Sequence, residues 1–184
     1  MRVLGIDPGT ANWGYGIVHA SGGRLREVAH GSRTTSAREA PALRLMAIHD
    51  AVATLIAEHE PDAVVLEESF VGADARTALF VGQARGAVLV ACAHAEVSCA
   101  EYPPATVKQS VCGYGRADKD QVQRMVKAIL GLPEPPRTSH AADALAVAIC
   151  HALASPLQRS VVGAARCPPS GAARWGAIGW CCPT

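Results

Sequence analysis

The stretch Val3-Leu4-Gly5-Ile6-Asp7-Pro8-Gly9-Thr10 sets the reading of the whole chain. Its apolar run reads as a buried strand, and Pro8-Gly9 ends it in a turn directly after an acidic residue. Working outward, a second strand is expected over about residues 13–19. A third, over about 25–32, follows the Ser21-Gly22-Gly23 turn, so the chain opens as an antiparallel meander. Leu45, Ile48, Val52, Leu55 and Ile56 then repeat at helical spacing between about residues 40 and 60. Pro41 falls in the first turn, where a missing N–H is tolerated. Pro61-Asp62 stops that helix, and Ala63-Val64-Val65-Leu66 reads as a central strand ending at Glu67.

A further helix is expected over about 76–94, with Leu79, Gly82, Gly86 and Val90 on one face. The two glycines there permit close approach of a helix or strand. A strand over about 96–102 precedes Pro103-Pro104, a short helix and a Gly113-Tyr114-Gly115 loop. Asp118 and Gln121 form a cap-and-return pair, Val122, Met125, Val126, Ile129 and Leu130 carry the next helix, and Gly131 and Pro133 stop it. Thr138 and Ser139 cap a last helix to about residue 154, with Ala141, Ala144, Leu145, Ala148 and Ile149 facing inward. The order gives an α/β fold, a mixed sheet of about five strands flanked by helices.

With 184 residues, 49% hydrophobic and 18% charged, the chain can bury a real core, and disorder throughout is excluded. The net charge of +1, from 17 basic and 16 acidic side chains, does not announce a protein that coats polyanions. An aromatic content of 4% argues against an aromatic-lined ligand pocket. No apolar run reaches the roughly 20 residues of a membrane helix and no charged leader precedes the first strand, so a cytoplasmic protein is expected. Of the seven cysteines, Cys92, Cys99, Cys112 and Cys150 read as core thiols of a reducing compartment, while Cys181-Cys182 could bind metal or oxidise. Residues 155–184 hold Arg159, Arg166 and Arg174, no acidic residue, four prolines and four glycines. They are expected to form a flexible, disordered basic tail on a folded domain spanning 1–154.

Asp7, Glu67 and Asp143 each begin or end an element, and His140 lies three residues before Asp143 on the first turn of the last helix. If the first and fourth strands are neighbours, three carboxylates and an imidazole meet at one sheet edge, an oxygen-rich site for Mg²⁺ or Mn²⁺. The alternative is that Asp7 and Asp143 are a turn and a cap residue and that Glu67 is an exposed strand end.

Six segments then align in order. Gly5-Ile6-Asp7-Pro8-Gly9-Thr10 with Gly14-Tyr15-Gly16, Leu66-Glu67-Glu68-Ser69-Phe70, Gly82-Gln83-Ala84-Arg85-Gly86, Val107-Lys108-Gln109-Ser110-Val111 and Ala141-Ala142-Asp143-Ala144-Leu145-Ala146 resemble the RuvC family of Holliday-junction resolvases over residues 1 to about 154. The resemblance implies a ribonuclease-H-like fold and a homodimer with one active site per subunit. It also implies symmetric nicking of two opposing strands of a four-way DNA junction, in recombination and repair, with a branch-migration motor (RuvA-RuvB) as partner. Its metal-ligand positions fall on Asp7, Glu67, His140 and Asp143. His140 departs from the commoner pattern, which has a carboxylate there. Glu68 is a neighbour that strand alternation points to the face opposite Glu67.

Two divalent cations about 4 Å apart can activate a water and spread charge on the leaving oxygen, with Asp7 bridging. His140 either binds the second ion or handles a proton. Exchanging a carboxylate for imidazole predicts better activity with Mn²⁺ than with Mg²⁺, falling as His140 protonates below about pH 6.5. Lys108 and Lys119 match basic positions of the family, and Arg76, Arg85 and Arg116 add charge for DNA binding, although each also reads as solvated surface. Phe70 is a wedge candidate at the junction centre, or a core phenylalanine. An actin-like ATPase needs a longer chain with a second phosphate loop. A ribonuclease-H-like nuclease on other nucleic acids and a non-catalytic junction-binding protein remain the competing readings.

Overall fold

The computed structural model describes residues 1–68, 75–156 and 159. Strands β1 (Arg2–Asp7), β2 (Asn12–Ser21) and β3 (Arg24–Thr34) form the expected meander. Helix α1 (Pro41–His59), β4 (Ala63–Glu67), α2 (Ala75–His94), β5 (Cys99–Tyr102), α3 (Pro104–Cys112), α4 (Lys119–Leu130) and α5 (Ser139–Leu153) follow. The sheet order is β3-β2-β1-β4-β5, antiparallel across β3-β2-β1 and parallel across β1-β4-β5. Strand β5 starts later than its apolar pattern suggests, because Glu96 takes a left-handed turn (φ 55°) after α2.

Helices cover both faces of the sheet. Val3, Val18, Val65 and Ala100 pack with α3, α4 and α5, whereas Leu4, Ile6, Ile17, Val64 and Leu66 pack with α1 and α2. The alternation of β1 and β4 therefore decides which side each strand end serves. Val3, Gly5 and Asp7 share the α5 side, as do Val65 and Glu67.

Of the expectations about helix faces, one is borne out and one needs correction. On α5 the expected Ala141, Ala144, Leu145, Ala148 and Ile149 are all buried, and burial extends to nearly every side from Ala141 to His151, because the helix lies between β1 and β2 on one flank and α3 and α4 on the other. On α2 the packed residues are Ala84, Val88, Ala91 and Cys92. Leu79 and Val90 stay 62% and 49% exposed, and a Cβ added to Gly82 or Gly86 would meet nothing among the described residues, so this face makes no close approach to them. The membrane expectation changes as well. By length and composition, residues Arg76–His94 of α2 are apolar enough to cross a bilayer, with mean hydropathy 1.2. Here that helix packs on the sheet.

Contacts of backbone on backbone fix how α5 sits. A Cβ at Gly5 would fall 2.0 Å from the Ala144 carbonyl oxygen, and one at Gly14 would fall 2.1 Å from that of His140. Only glycine lets the helix lie so low on the meander. Cys92, Cys99 and Cys150 are buried free thiols and Cys112 is half-buried, as expected. Ser69, Phe70 and Gly72, together with residues 157, 158 and 160–184 of the expected tail and Cys181-Cys182, lie outside the described residues.

Candidate active site

Five elements deliver polar side chains to one cavity of about 420 Å³. It is lined by Asp7 and Pro8 from the end of β1 and the turn after it, by Glu67 of β4 and Glu68 just beyond it, by Lys108 of α3, by Lys119 of α4 and by Ser139, His140 and Asp143 of α5. Parallel pairing of β1 and β4 sets Ile6 beside Leu66, so Asp7 and Glu67 emerge side by side at the carboxyl edge. The turn after Asp7 is pinned from α1, where the Arg44 guanidinium donates to the Thr10 carbonyl (2.7 Å) and to Thr35 Oγ1 (2.9 Å). Thr138 caps α5 through its hydroxyl, which accepts from the Ala141 N–H. That helix start, seated on Gly14, places His140 Nδ1 2.6 Å from Asp7 Oδ2.

The carboxylates crowd one another. Burial, then the charges of Asp143 and Asp7, push Glu67 up to about 7. Asp143 is raised by burial and by Asp7. Asp7 is raised by burial, against the opposing hydrogen bond and charge of His140. Lys108 and Lys119 offset part of this repulsion. Such a cluster is short of positive charge, and a bound cation would lower all three values.

Of the candidate DNA contacts, Lys108 and Lys119 line the cavity. Lys119 begins α4 directly after Asp118, whose carboxylate accepts from the Gln121 N–H while Gln121 Oε1 accepts from the Asp118 N–H, the reciprocal cap the sequence announces. Arg85 is engaged otherwise. Its guanidinium pairs with Glu101 of β5 and reaches toward the Glu67 carbonyl at 3.5 Å, tying α2 to the ends of β4 and β5. Arg76 stands at the start of α2 with its guanidinium 5.9 Å from the Phe80 ring centre, and Arg116 is exposed before α4; neither lines the cavity.

Alternation placed Glu68 on the opposite face, yet it lines the same cavity. It lies one residue beyond β4, where its N–H still bonds the Tyr102 carbonyl but the pleat no longer dictates direction. The Arg85–Glu101 pair was also invisible in sequence, since it joins residues of α2 and β5 that no local pattern relates. A larger cavity of about 590 Å³, between β3 and the segment joining α4 to α5, contains none of the four candidate ligands.

This five-stranded sheet, with acidic residues gathered at its carboxyl edge, defines a ribonuclease-H-like protein. Residues 3–151 match the family described as crossover junction endodeoxyribonuclease RuvC, and the chain belongs to that family. It is 51% identical over 156 residues to the RuvC crossover junction endodeoxyribonuclease of Moorella thermoacetica, covering 85% of this chain and 93% of the relative. To that of Chloroflexus aggregans it is 51% identical over 160 residues, covering 86% and 98%. Among solved structures it resembles Thermus thermophilus RuvC in complex with a Holliday junction substrate, with a TM-score of 0.79, 43% identity and coverage of 83% and 93%.

Proposed function

We propose that this chain is a structure-selective endodeoxyribonuclease that resolves four-way DNA junctions by metal-dependent nicking of two opposing strands. One observation carries the reading: β1, β4 and α5 bring three carboxylates and an imidazole into one cavity that also holds Lys108 and Lys119.

Asp7, Glu67, His140 and Asp143 are the residues that would hold divalent cations. Their chemistry fits, since hard oxygen donors suit Mg²⁺ and Mn²⁺ and the raised carboxyl pKa values mark a cluster that a cation would stabilise. As the side chains stand, no three His, Cys, Asp or Glu among the described residues close around one point. His140 instead bonds to Asp7, so cation binding entails reorientation of these side chains. Bound ions would supply an activated water and charge stabilisation on the leaving oxygen. With Nδ1 held by Asp7, the ring of His140 is oriented and Nε2 is the nitrogen able to bind an ion or move a proton. Lys108 and Lys119 are placed to take the phosphates flanking the scissile bond. Lys119 does so at the N-terminal, positive end of α4. The nitrogen ligand leads to the Mn²⁺ preference, with two ions per subunit.

Nicking of two opposing strands requires two copies, and the apolar ridge of Leu79, Leu89 and Val90 around Gly82 and Gly86 on α2 supports a homodimer packed there. Partnership with RuvA-RuvB and the wedge role of Phe70 rest on the family resemblance.

The test is single-turnover cleavage of a mobile four-way junction beside linear duplex and an RNA–DNA hybrid, with Mg²⁺, Mn²⁺ or chelator. Paired symmetric nicks in the junction alone, abolished by chelator and by Asp7→Asn without loss of junction binding, are expected. Preferential cutting of the hybrid, or binding without cutting in either metal, would overturn the reading.

A further inference from the structure

Outside the catalytic cavity, one group of metal-ligating side chains joins two elements far apart in sequence. His49 lies within α1 and His94 ends α2, with His49 Nε2 3.3 Å from His94 Nδ1 and the rings at 82°. The other nitrogen of His49, Nδ1, lies 2.9 Å from Asp50 Oδ1. A carboxylate there holds the ring proton on Nδ1 and leaves the Nε2 lone pair facing His94.

We propose that His49 and His94 form a binding site for a divalent transition ion of the zinc class, with Asp50 orienting the His49 ring. Two nitrogens bound to one tetrahedral ion at about 2.0–2.1 Å stand about 3.3 Å apart, which is the spacing found between these rings. On binding, the ion takes the place of the hydrogen bond between the rings, and His94 carries its proton on Nε2. No third His, Cys, Asp or Glu completes a group of three here among the described residues, so water fills the remaining positions and the ion exchanges readily. Imidazole favours zinc, nickel and copper over Mg²⁺, which separates this site chemically from the oxygen-rich cavity. It is separate in space too. Val81 of α2 lines the cavity, and His94 lies about 20 Å further along the same helix at 1.5 Å per residue. A bound ion fastens α1 to α2, the two helices that together cover one face of the sheet.

Equilibrium dialysis of the full chain against Zn²⁺ in excess Mg²⁺ tests this, beside His49→Gln, His94→Gln and Asp50→Asn. The unsubstituted protein is expected to bind one zinc per chain more than either histidine variant. Asp50→Asn is expected to keep that zinc with about 10–100-fold weaker affinity. Junction cleavage in Mg²⁺ should be unchanged in all three, and far-ultraviolet dichroism reports that they fold. Equal zinc content in the unsubstituted protein and both histidine variants would overturn the site. So would a zinc-soaked crystal without anomalous density between the two nitrogens.

Discussion

Replacing Gly14 by alanine tests how the fold builds its site. The new Cβ would lie 2.1 Å from the His140 carbonyl oxygen, 2.2 Å from its carbon and 2.7 Å from the Ala141 nitrogen, where ordinary contact begins at 3.4 Å. Nothing flexible lies in the way, so the first turn of α5 must retreat by about 1.3 Å, the difference between 2.1 and 3.4 Å. Overpacking of this kind costs about 1–3 kcal/mol, and for a domain of this size each kcal/mol lowers Tm by about 2–4 °C. The retreat also pulls His140 from Asp7, now 2.6 Å away, and a displacement of about 1 Å at a reacting group costs about 10²-fold in rate. Single-turnover junction cleavage at saturating protein, with thermal unfolding in parallel, should therefore show a folded variant of lower Tm that cuts about a hundredfold more slowly. Junction affinity should change little, because Lys108 and Lys119 stand on α3 and α4. Cleavage within twofold of the unsubstituted rate would refute the coupling between the strand backbone and the helix start.

Substituting His140 by alanine should slow cleavage by about 10²–10⁴-fold with binding retained, and His140→Asp should shift the metal preference from Mn²⁺ toward Mg²⁺, read as the ratio of nicking rates in the two ions. Acid titration sets two groups against each other. Burial depresses His151, bonded to Tyr102 Oη, to about 4, so the unfolded chain takes up a proton first and stability falls as pH drops from about 6.5 toward 4, by on the order of 3 kcal/mol. Glu67, raised to about 7, takes up its proton in the folded state first, so stability rises as pH falls from 7 toward 4.5. Urea unfolding from pH 7.5 to 4.5 should thus show a steeper acid loss in Glu67→Gln than in the unsubstituted protein; an equal slope would contradict the opposition. Lys119→Ala should weaken junction binding and lower the salt slope by about one, while Arg85→Ala, losing its pair with Glu101, should lower Tm and leave the salt slope unchanged. A reduced slope in Arg85→Ala would return that residue to the DNA-contacting set.

The amino-acid sequence by itself determined the order and kind of the elements. Period-two and period-3.6 patterns, the Asp118–Gln121 cap and the glycine and proline stops are local signals, each readable within a few residues. It also marked Asp7, Glu67, His140 and Asp143, because each sits at an element boundary that local signals define. Tertiary structure decided which surfaces are inside. The face of α2 bearing Gly82 and Gly86 looks like a packing face in sequence, yet Ala84, Val88 and Ala91 are the residues that meet the sheet, since apolar character alone does not say which neighbour arrives. The surroundings of Glu68 and Arg85 escaped the sequence for a related reason. One escapes the pleat where β4 ends, and the other meets Glu101 only because parallel pairing sets β5 beside β4. A carboxylate can be placed at a strand end from sequence. The partners that will set its charge are fixed only once distant strands and helices share one edge.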